Sequence, residues 1–332
     1  MKKITNDVQN VVWDMLHGFY FEHKDRVSYD SKNKIIYRRD LANMQQEVVI
    51  LSGGGSGHEP EHFGYVGEGM LSIAVSGPIF IPPTPEQILA AIRMVDKNKS
   101  VLLVIKNFKA DVECFLAAES MAKKEGRSVD HVIVNDDVSI EDDASFNKRK
   151  RGVAGTIFVH KILGAAALEG YSLQQLTNIG GYVISNLHTL GVALSPANNP
   201  TQREVSFTLQ DNEVFYGVGI HGEKGYRKEE FFSSEKLAIE LMNKLKSVYH
   251  WKKGDKFAIL INGLGATPLM EQYIFANDIR RLCELERLDI RFVKVGTHLT
   301  SLDMKGISLS LLKIEDPIWE QWLKADVEVA NW

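Results

Sequence analysis

A glycine-rich loop with a histidine at its end is the first stretch of the chain that could bind a ligand. Residues 51–60 read Leu-Ser-Gly-Gly-Gly-Ser-Gly-His-Glu-Pro and directly follow an apolar segment. Glycines let the backbone bring its N–H groups close to a ligand. The loop lacks the Lys-Ser/Thr of a P-loop, and His58 occupies the last glycine position of both Gly-x-Gly-x-x-Gly and Gly-x-Ser-x-Gly. We therefore expect it to hold a small polar ligand and not ATP, the alternative being a tight strand-to-helix turn.

A second set of polar residues follows another apolar segment. Lys106, Asn107 and Asp111 lie at or just after the end of residues 101–106. In open α/β sheets, ligands bind at the carboxyl ends of the strands, so these side chains are expected to face the same crevice as His58. A solvated cluster at the end of a strand would explain them equally well.

A third candidate is His221, which ends an apolar stretch and is flanked by Gly219 and Gly222. The neighbouring glycines, which have no side chains, leave the backbone around His221 unusually accessible to a ligand. A histidine at a strand end is nevertheless more often a surface residue, or one whose hydrogen bonds are satisfied, than a reactive one. The residue types alone therefore leave its role open.

The elements that must position these residues alternate between short apolar segments and helical patterns. The predicted strands of the first half cover residues 48–52, 70–75, 101–106 and 131–135. Continuous apolar strands between helices indicate a largely parallel sheet that is covered on both faces. An amphipathic helix with Asn6 as its predicted cap precedes them, and helices over 153–169 and 173–187 follow.

From residue 191 the pattern changes to strands joined by short turns, which indicates antiparallel pairing. The predicted strands cover residues 192–195, 205–209, 214–221, 257–261, 290–295 and 307–314. Helices are predicted over 234–249, capped by Ser233 or Ser234, and over 268–286. We therefore predict two domains, residues 1–190 with the glycine-rich loop and residues 191–332 with His221.

Composition excludes several classes of protein. The chain has 332 residues, and its 39 Lys+Arg against 43 Asp+Glu give a net charge of −4, which argues against direct nucleic-acid binding. Two cysteines, Cys114 and Cys283, provide neither a disulfide framework nor the spacing of a zinc site. No apolar segment is long enough to span a bilayer, and polar residues 5–7 interrupt any signal peptide. We expect a cytoplasmic protein without a metal, a cofactor or a membrane partner.

Taken together with residues 135–138, 151–156, 262–268 and 300–304, the three groups resemble the dihydroxyacetone-binding K subunit of dihydroxyacetone kinase. The similarity covers nearly the whole chain and keeps the order of the motifs. It implies an α/β fold of two α/β domains with mixed sheets flanked by helices, and a homodimer. It also implies that the chain carries no nucleotide, because a separate nucleotide-carrying subunit delivers the phosphate in that family.

The same resemblance implies roles for individual residues. A ring nitrogen of His221 would add to the carbonyl carbon of dihydroxyacetone and form a hemiaminal, which requires the neutral ring. His58 would polarise or hydrogen-bond the substrate oxygen, and backbone N–H groups of Gly54 and Gly55 would hold hydroxyls. Lys106 belongs to the set that holds the ketone. In the kinase, the carboxylate at the position of Asp111 removes a proton from the attacking hydroxyl.

Four segments depart from the usual sequence of the family, namely residues 81–82, 108–110, 146–151 and 197–205. Changed loops around an intact ketone-binding set favour the non-kinase paralogue of the family, the Q subunit. That paralogue binds dihydroxyacetone and is a co-activator of a helix-turn-helix regulator of the kinase operon. The alternative is a catalytic K subunit, since loops also vary neutrally. A lyase or isomerase is disfavoured by the absence of a metal cluster or a second acid, and the basic residues 148–151 are expected to form a solvated turn.

Overall fold

The computed structural model describes residues 3–140, 150–199 and 207–332. Its helices are α1 (Val11–His23), α2 (Pro85–Arg93), α3 (Lys109–Lys124), α4 (Thr156–Leu168), α5 (Leu173–Ser185), α6 (Ser234–Tyr249), α7 (Leu269–Glu286) and α8 (Pro317–Lys324). The first six strands are β1 (Val27–Asp30), β2 (Ile35–Arg38), β3 (Val48–Ser56), β4 (Ile73–Ile79), β5 (Ser100–Lys106) and β6 (Val129–Val134). The others are β7 (Leu187–Ala193), β8 (Glu213–Tyr216), β9 (Arg227–Glu230), β10 (Lys256–Gly263), β11 (Asp289–Gly296) and β12 (Gly306–Lys313). Short 3₁₀ turns lie at Leu41–Asn43 and Phe63–Tyr65.

The first sheet has the strand order β1-β2-β4-β3-β5-β6. Strands β4, β3, β5 and β6 are parallel, whereas β1 and β2 form an antiparallel hairpin on the edge beside β4. Helices α2 and α3 cover one face, and α4 and α5 lie toward the other. Because β3 lies between two parallel neighbours, the carboxyl ends of β4, β3 and β5 form one edge, where the glycine-rich loop begins.

The second sheet has the order β11-β10-β12-β7-β8-β9 and is mainly antiparallel, with β10 and β11 as its parallel pair. Helices α6 and α7 pack on one face through apolar side chains such as Leu241 and Phe275. The turn after β8 carries His221. The predicted α/β class, with two mixed sheets flanked by helices, is confirmed.

One hydrophobic core joins the two sheets. It contains Ile50 and Leu102 from the first sheet, Leu260 and Leu312 from the second, and Phe158 of α4, all of them fully buried. Helix α4 has apolar residues on every side, which is typical of a helix buried between layers. Residue 190, the predicted domain boundary, lies within β7, which pairs with β12 and β8 of the second sheet.

Several predictions about local structure are wrong in detail. Strand β8 ends at Tyr216, so residues 217–221 of the strand predicted at 214–221 are not in a strand. Helix α1 begins at Val11, and its N-cap residue is Asn10, whose side chain makes no capping hydrogen bond. The Asp7 carboxylate instead accepts hydrogen bonds from the Gln9 N–H and the Asn10 amide, which forms a turn ahead of the helix. Residues 207–209 of the strand predicted at 205–209 are not in a strand, and residues 205–206 lie outside the described ranges.

The cap of α6 is confirmed, since Ser233 accepts a hydrogen bond of 3.2 Å from the Lys236 N–H. Of the helices in the described ranges, none combines the length and the apolar character needed to cross a membrane.

Candidate functional site

The glycine-rich loop is the last part of β3, and its glycines permit close packing of the chain. A Cβ on Gly55 would lie 2.6 Å from the Ile81 backbone nitrogen and 2.8 Å from the Phe80 carbonyl carbon, so no side chain fits there. A Cβ on Gly54 would lie 3.4 Å from both Asp111 Oδ1 and His62 Nε2. Gly54 is therefore the loop residue that faces the polar side chains of the crevice, whereas Gly55 lies against residues 80–81.

His58 is fully buried and has a defined tautomer. Its Nδ1 lies 2.8 Å from the Thr300 carbonyl oxygen, which can only accept, so Nδ1 carries the proton. Its Nε2 is buried and has no hydrogen-bond partner among the described residues. Burial, with the positive charges of Lys106 and His221, holds the pKa of His58 well below its usual value. His58 is thus a neutral ring that offers the crevice a hydrogen-bond acceptor.

His221 lies in the turn after β8, and Glu223 fixes its orientation. The Glu223 carboxylate lies 3.3 Å from His221 Nδ1 and accepts a 3.0 Å hydrogen bond from the His221 backbone N–H. Burial alone would raise the pKa of Glu223, but the hydrogen bond with His221 and the charges of His221 and Arg151 lower it to about 2. In the neutral form of His221, the proton on Nδ1 faces the Glu223 carboxylate, and Nε2 carries the lone pair. The His221 side chain is 18 % exposed.

Contrary to the expectation of a solvated basic turn, Arg151 is buried, and it connects the turn that carries His221 to residues 137–139 after β6. Its guanidinium donates to Asp137 at 2.7 Å, to Ser139 Oγ at 2.8 Å and to the Gly217 carbonyl oxygen at 2.8 Å. Its Nη1 lies 4.0 Å from Glu223 Oε2. The two ends of the turn that carries His221 are therefore held by one buried arginine.

Aromatic rings enclose the two histidines. The ring centroids of His58 and His221 are 4.8 Å apart in an edge-to-face arrangement. The ring centroids of Phe108 and His221 are 4.4 Å apart in an edge-to-face arrangement, and those of Phe80 and His58 are 5.1 Å apart in a stacked one. These contacts restrict the rotation of both imidazoles and line the site with apolar rings.

Lys106 and Asp111 are both buried at the carboxyl end of β5. The Lys106 ammonium donates to the Glu61 carboxylate, a contact the sequence did not indicate. Asp111 lies in the first turn of α3, where burial raises its pKa against the opposing charges of Lys106 and His221. Asn107, predicted to face the crevice, donates its amide to the Lys150 carbonyl oxygen at 2.7 Å.

Glu61, His62 and His160 form a buried group whose ligand-type atoms all lie within 4.8 Å of one another. The Ser52 hydroxyl donates to the Val104 carbonyl oxygen at 2.7 Å, so it accepts from His62 Nδ1, 3.1 Å away. His160 Nε2 also lies 3.1 Å from that nitrogen. Hydrogen bonding explains the close histidines, and the lysine already compensates the charge of Glu61. We therefore do not assign a metal to this group.

The structure brings together His58, Asp111, His221 and Gly54, and it places Lys106 on a carboxylate beside them. The site residues that were not predicted are Phe80, Phe108, Arg151, Glu223, Glu61, His62 and His160. Glu61 and His62 follow His58 within four residues and could have been suspected from that spacing. His160 lies within an apolar helix about a hundred residues away, and nothing local marks it.

The altered segments lie partly at the site. Ile81 is 57 % exposed and follows Phe80, and Lys109 and Ala110 are exposed at the start of α3 beside Phe108. Residues 146–149 of the basic segment and residues 200–205 of the last segment lie outside the described ranges.

Known proteins resemble this chain over nearly its whole length. A family model described as the Dak1 domain matches residues 17–331. The chain is 46% identical over 331 residues to a protein of Lactococcus lactis subsp. lactis (strain IL1403) described as the dihydroxyacetone-binding subunit DhaK of a PTS-dependent dihydroxyacetone kinase. That match covers 100% of this chain and 99% of the relative. The chain is also 46% identical over 332 residues to the DhaKLM operon coactivator DhaQ of the same strain, and this match covers 99% of the chain and 100% of the relative. A solved structure described as the dihydroxyacetone kinase operon co-activator Dha-DhaQ superposes with a TM-score of 0.90 at 45% identity, covering 98% of each chain.

Proposed function

The chain belongs to the Dak1 domain family, and from this membership we propose that it captures dihydroxyacetone as a hemiaminal on His221 and acts as a ligand-sensing co-activator of a transcriptional regulator. The observation that carries the capture step is the contact between His221 Nδ1 and Glu223. It leaves Nε2 as the nucleophile in a site that also contains a neutral His58 and a buried Asp111.

The capture step is an addition and needs no oxidant. The lone pair of His221 Nε2 forms a bond to the carbonyl carbon, and the π electrons of the C=O bond move to the oxygen, which takes up a proton from solvent. The ring is briefly cationic, and the Glu223 carboxylate stabilises this state until the Nδ1 proton passes to solvent. Glycerol has no carbonyl group to attack, so covalent capture separates the two compounds better than hydrogen bonds alone would.

The other residues of the site bind the hydroxyl groups of the ligand and stabilise the negative charge that develops on its carbonyl oxygen. Because Nε2 of His58 carries no proton and has no hydrogen-bond partner among the described residues, it accepts a hydrogen bond from a ligand hydroxyl. Of the two roles considered from the sequence, we therefore favour hydrogen bonding over polarisation. Asp111 faces Gly54 and takes the second hydroxyl, and backbone N–H groups of Gly54 and Gly55 bind oxygen. Lys106 supplies the positive charge beneath them.

The regulatory role is supported by the similarity to the DhaQ co-activator over the full length of both chains and by the altered loops beside the site. We propose that the ligand-bound homodimer presents a surface preferred by a helix-turn-helix regulator. By linkage, the ligand strengthens that complex only as far as it binds the complexed state more tightly than the free state.

The second candidate is a catalytic K subunit that works with a nucleotide-carrying subunit. The retained Asp111 favours it, because a buried carboxylate with a raised pKa can remove the proton of a hydroxyl that attacks a phosphoryl donor. The similarity to the DhaK relative is as high as that to the co-activator.

Capture can be tested with dihydroxyacetone labelled with ¹³C at the carbonyl carbon. We expect the ketone signal to be replaced by that of a tetrahedral carbon in the protein complex, and we expect His221→Gln to abolish that signal. The matched control His188→Gln changes a histidine of β7 away from the site and should leave the signal intact. A persistent ketone signal in saturated wild-type protein would refute covalent capture.

A turnover assay distinguishes the co-activator role from the role of a catalytic K subunit. A mixture of the protein, dihydroxyacetone and nucleotide-carrying subunits charged with phosphate should yield no dihydroxyacetone phosphate if the protein is a co-activator. If product does form, the kinase role predicts that Asp111→Asn abolishes turnover while the NMR signal of the adduct persists. Product formation would thus reject the co-activator proposal.

A further inference from the structure

The buried pair of Glu61 and Lys106 lies beneath the ligand site, and the proposed capture step uses the charge of Lys106 but gives Glu61 no role. Both side chains are buried almost completely, and the hydrogen bond of the ammonium goes to Glu61 Oε2. Glu61 Oε1 has no hydrogen-bond partner among the described residues. A buried ion pair of this kind is weak evidence for stability, because desolvation offsets the attraction between the charges.

The pair lies close enough to the site to influence its ligand-facing groups. Lys106 ends β5, directly beside the glycine-rich strand β3, while Glu61 reaches it from the loop that follows His58. The positive charge of Lys106 lowers the pKa of both ligand-facing groups, Asp111 and His58. The titratable groups around Glu61 come from several elements, namely Lys106 of β5, Asp111 of α3, Asp136 after β6, His160 of α4, and Tyr65 and His62 beside it.

We propose that Glu61 is a positioning residue for ligand capture: its carboxylate holds the Lys106 ammonium beneath the glycine-rich loop and apart from Asp111, and releases the ammonium on taking up a proton. The proposal rests on the proposed capture of a hydroxyketone at His221. It adds a group that controls whether Asp111 is available to the ligand.

Electrostatics supports both parts of this proposal, that the ionised Glu61 holds the Lys106 ammonium and that the protonated Glu61 releases it. With Glu61 ionised, the pair is neutral overall, and Asp111 remains free to accept a ligand hydroxyl. With Glu61 protonated, Lys106 has lost its counter-charge, and the buried Asp111 carboxylate is the acceptor that can compensate it. The pKa of Glu61 is raised to about 7, because burial outweighs the opposing effect of Lys106. Since the ligand prefers the ionised form, affinity should fall as the pH drops through about 7.

The test is the pH dependence of dihydroxyacetone affinity, measured by calorimetry in amine-free buffers between about pH 5.5 and 8.5. The slope of log affinity against pH counts the protons that are linked to binding. We expect Glu61→Gln to lower this slope by one proton on the acid side and to weaken binding about tenfold at high pH, as expected for loss of one charge-assisted hydrogen bond. Glu61→Asp, which keeps the charge, should retain the proton-linked step.

The matched control is Glu119→Gln, which changes another buried glutamate that accepts a hydrogen bond from a lysine, Lys123, but lies on α3 away from the site. It should keep the wild-type slope. If Glu61→Gln does not fold, the double variant Glu61→Gln/Lys106→Met removes both charges together and is expected to fold and to lack the step.

Three results would overturn the inference. They are a wild-type slope in Glu61→Gln, a wild-type slope in the double variant, and an equal loss of slope in Glu119→Gln. In each case the labelled-carbonyl signal in wild-type protein would still support the proposed capture. Absence of that signal in wild-type protein would instead reject the proposed function itself.

Discussion

At the scale of single residues, two histidines of the same tautomer have different surroundings. His58 and His221 each present Nδ1 to an oxygen acceptor and leave Nε2 as a lone pair. The acceptor of His58 is a neutral carbonyl in a fully buried site, whereas that of His221 is an ionised carboxylate near solvent. A cationic ring is therefore disfavoured at His58, whereas the carboxylate beside His221 can balance the positive charge that develops on its ring when Nε2 attacks. This difference makes His58 the acceptor and His221 the nucleophile in the proposed capture.

Gly219 tests the role of Glu223 without altering a charged group. A Cβ at this position would overlap the Glu223 carboxylate and lie 2.5 Å from Arg151 Nη1. We expect Gly219→Ala to displace Glu223 from His221 and to weaken dihydroxyacetone binding by roughly tenfold or more, the equivalent of one lost charge-assisted hydrogen bond. Calorimetric titration would measure this.

The control for that variant is Gly181→Ala in α5, where an added Cβ would meet no atom of the described residues within 4 Å. It should leave ligand affinity unchanged and should stabilise the fold by about 0.5–1 kcal/mol, because alanine is the better helix former. Unchanged affinity in Gly219→Ala would show that the orientation of Glu223 is unimportant for binding.

At the scale of elements, two helix starts provide a matched pair of capping residues. Ser233 accepts a hydrogen bond at the start of α6, whereas the side chain of Asn10 makes no such bond at the start of α1. We expect Ser233→Ala to lower the free energy of unfolding by about 1 kcal/mol and Asn10→Ala to have a much smaller effect. Urea denaturation of both variants would check this, and equal losses would contradict it.

The elements that were predicted well are those whose pattern is local. The apolar segments at 48–52 and 101–106 lie within β3 and β5, and the helix at 234–249 has the predicted bounds. Strands β1, β2 and β9 were not predicted, since each has four residues and depends on its partner for pairing. In the site, His58 follows the end of β3 as predicted, whereas His221 lies in the turn beyond β8 and not at the end of a strand. The contact of Lys106 with Glu61 depends on how a loop folds back, which no spacing in the sequence encodes.

At the scale of the whole molecule, the shared core predicts that both sheets unfold together. Phe158 of α4 is fully buried in the hydrophobic core that also contains residues of both sheets. We expect Phe158→Ala to destabilise the protein by about 3–5 kcal/mol and to shift one calorimetric transition without splitting it. Two separate transitions in the wild-type protein, or a split produced by this variant, would show that the halves are independent.

The bond between His58 and the Thr300 carbonyl oxygen crosses from one sheet to the loops of the other, and backbone hydrogen bonds from Thr300 to His58 and from Leu302 to Gly57 accompany it. A ligand that binds at this junction in the folded protein therefore stabilises the contacts across it and opposes unfolding. A ligand present at a hundred times its dissociation constant adds about 2.7 kcal/mol to the folded state. A melting curve can thus serve as a screen in which small ketones and aldehydes are ranked by how far each one delays thermal denaturation.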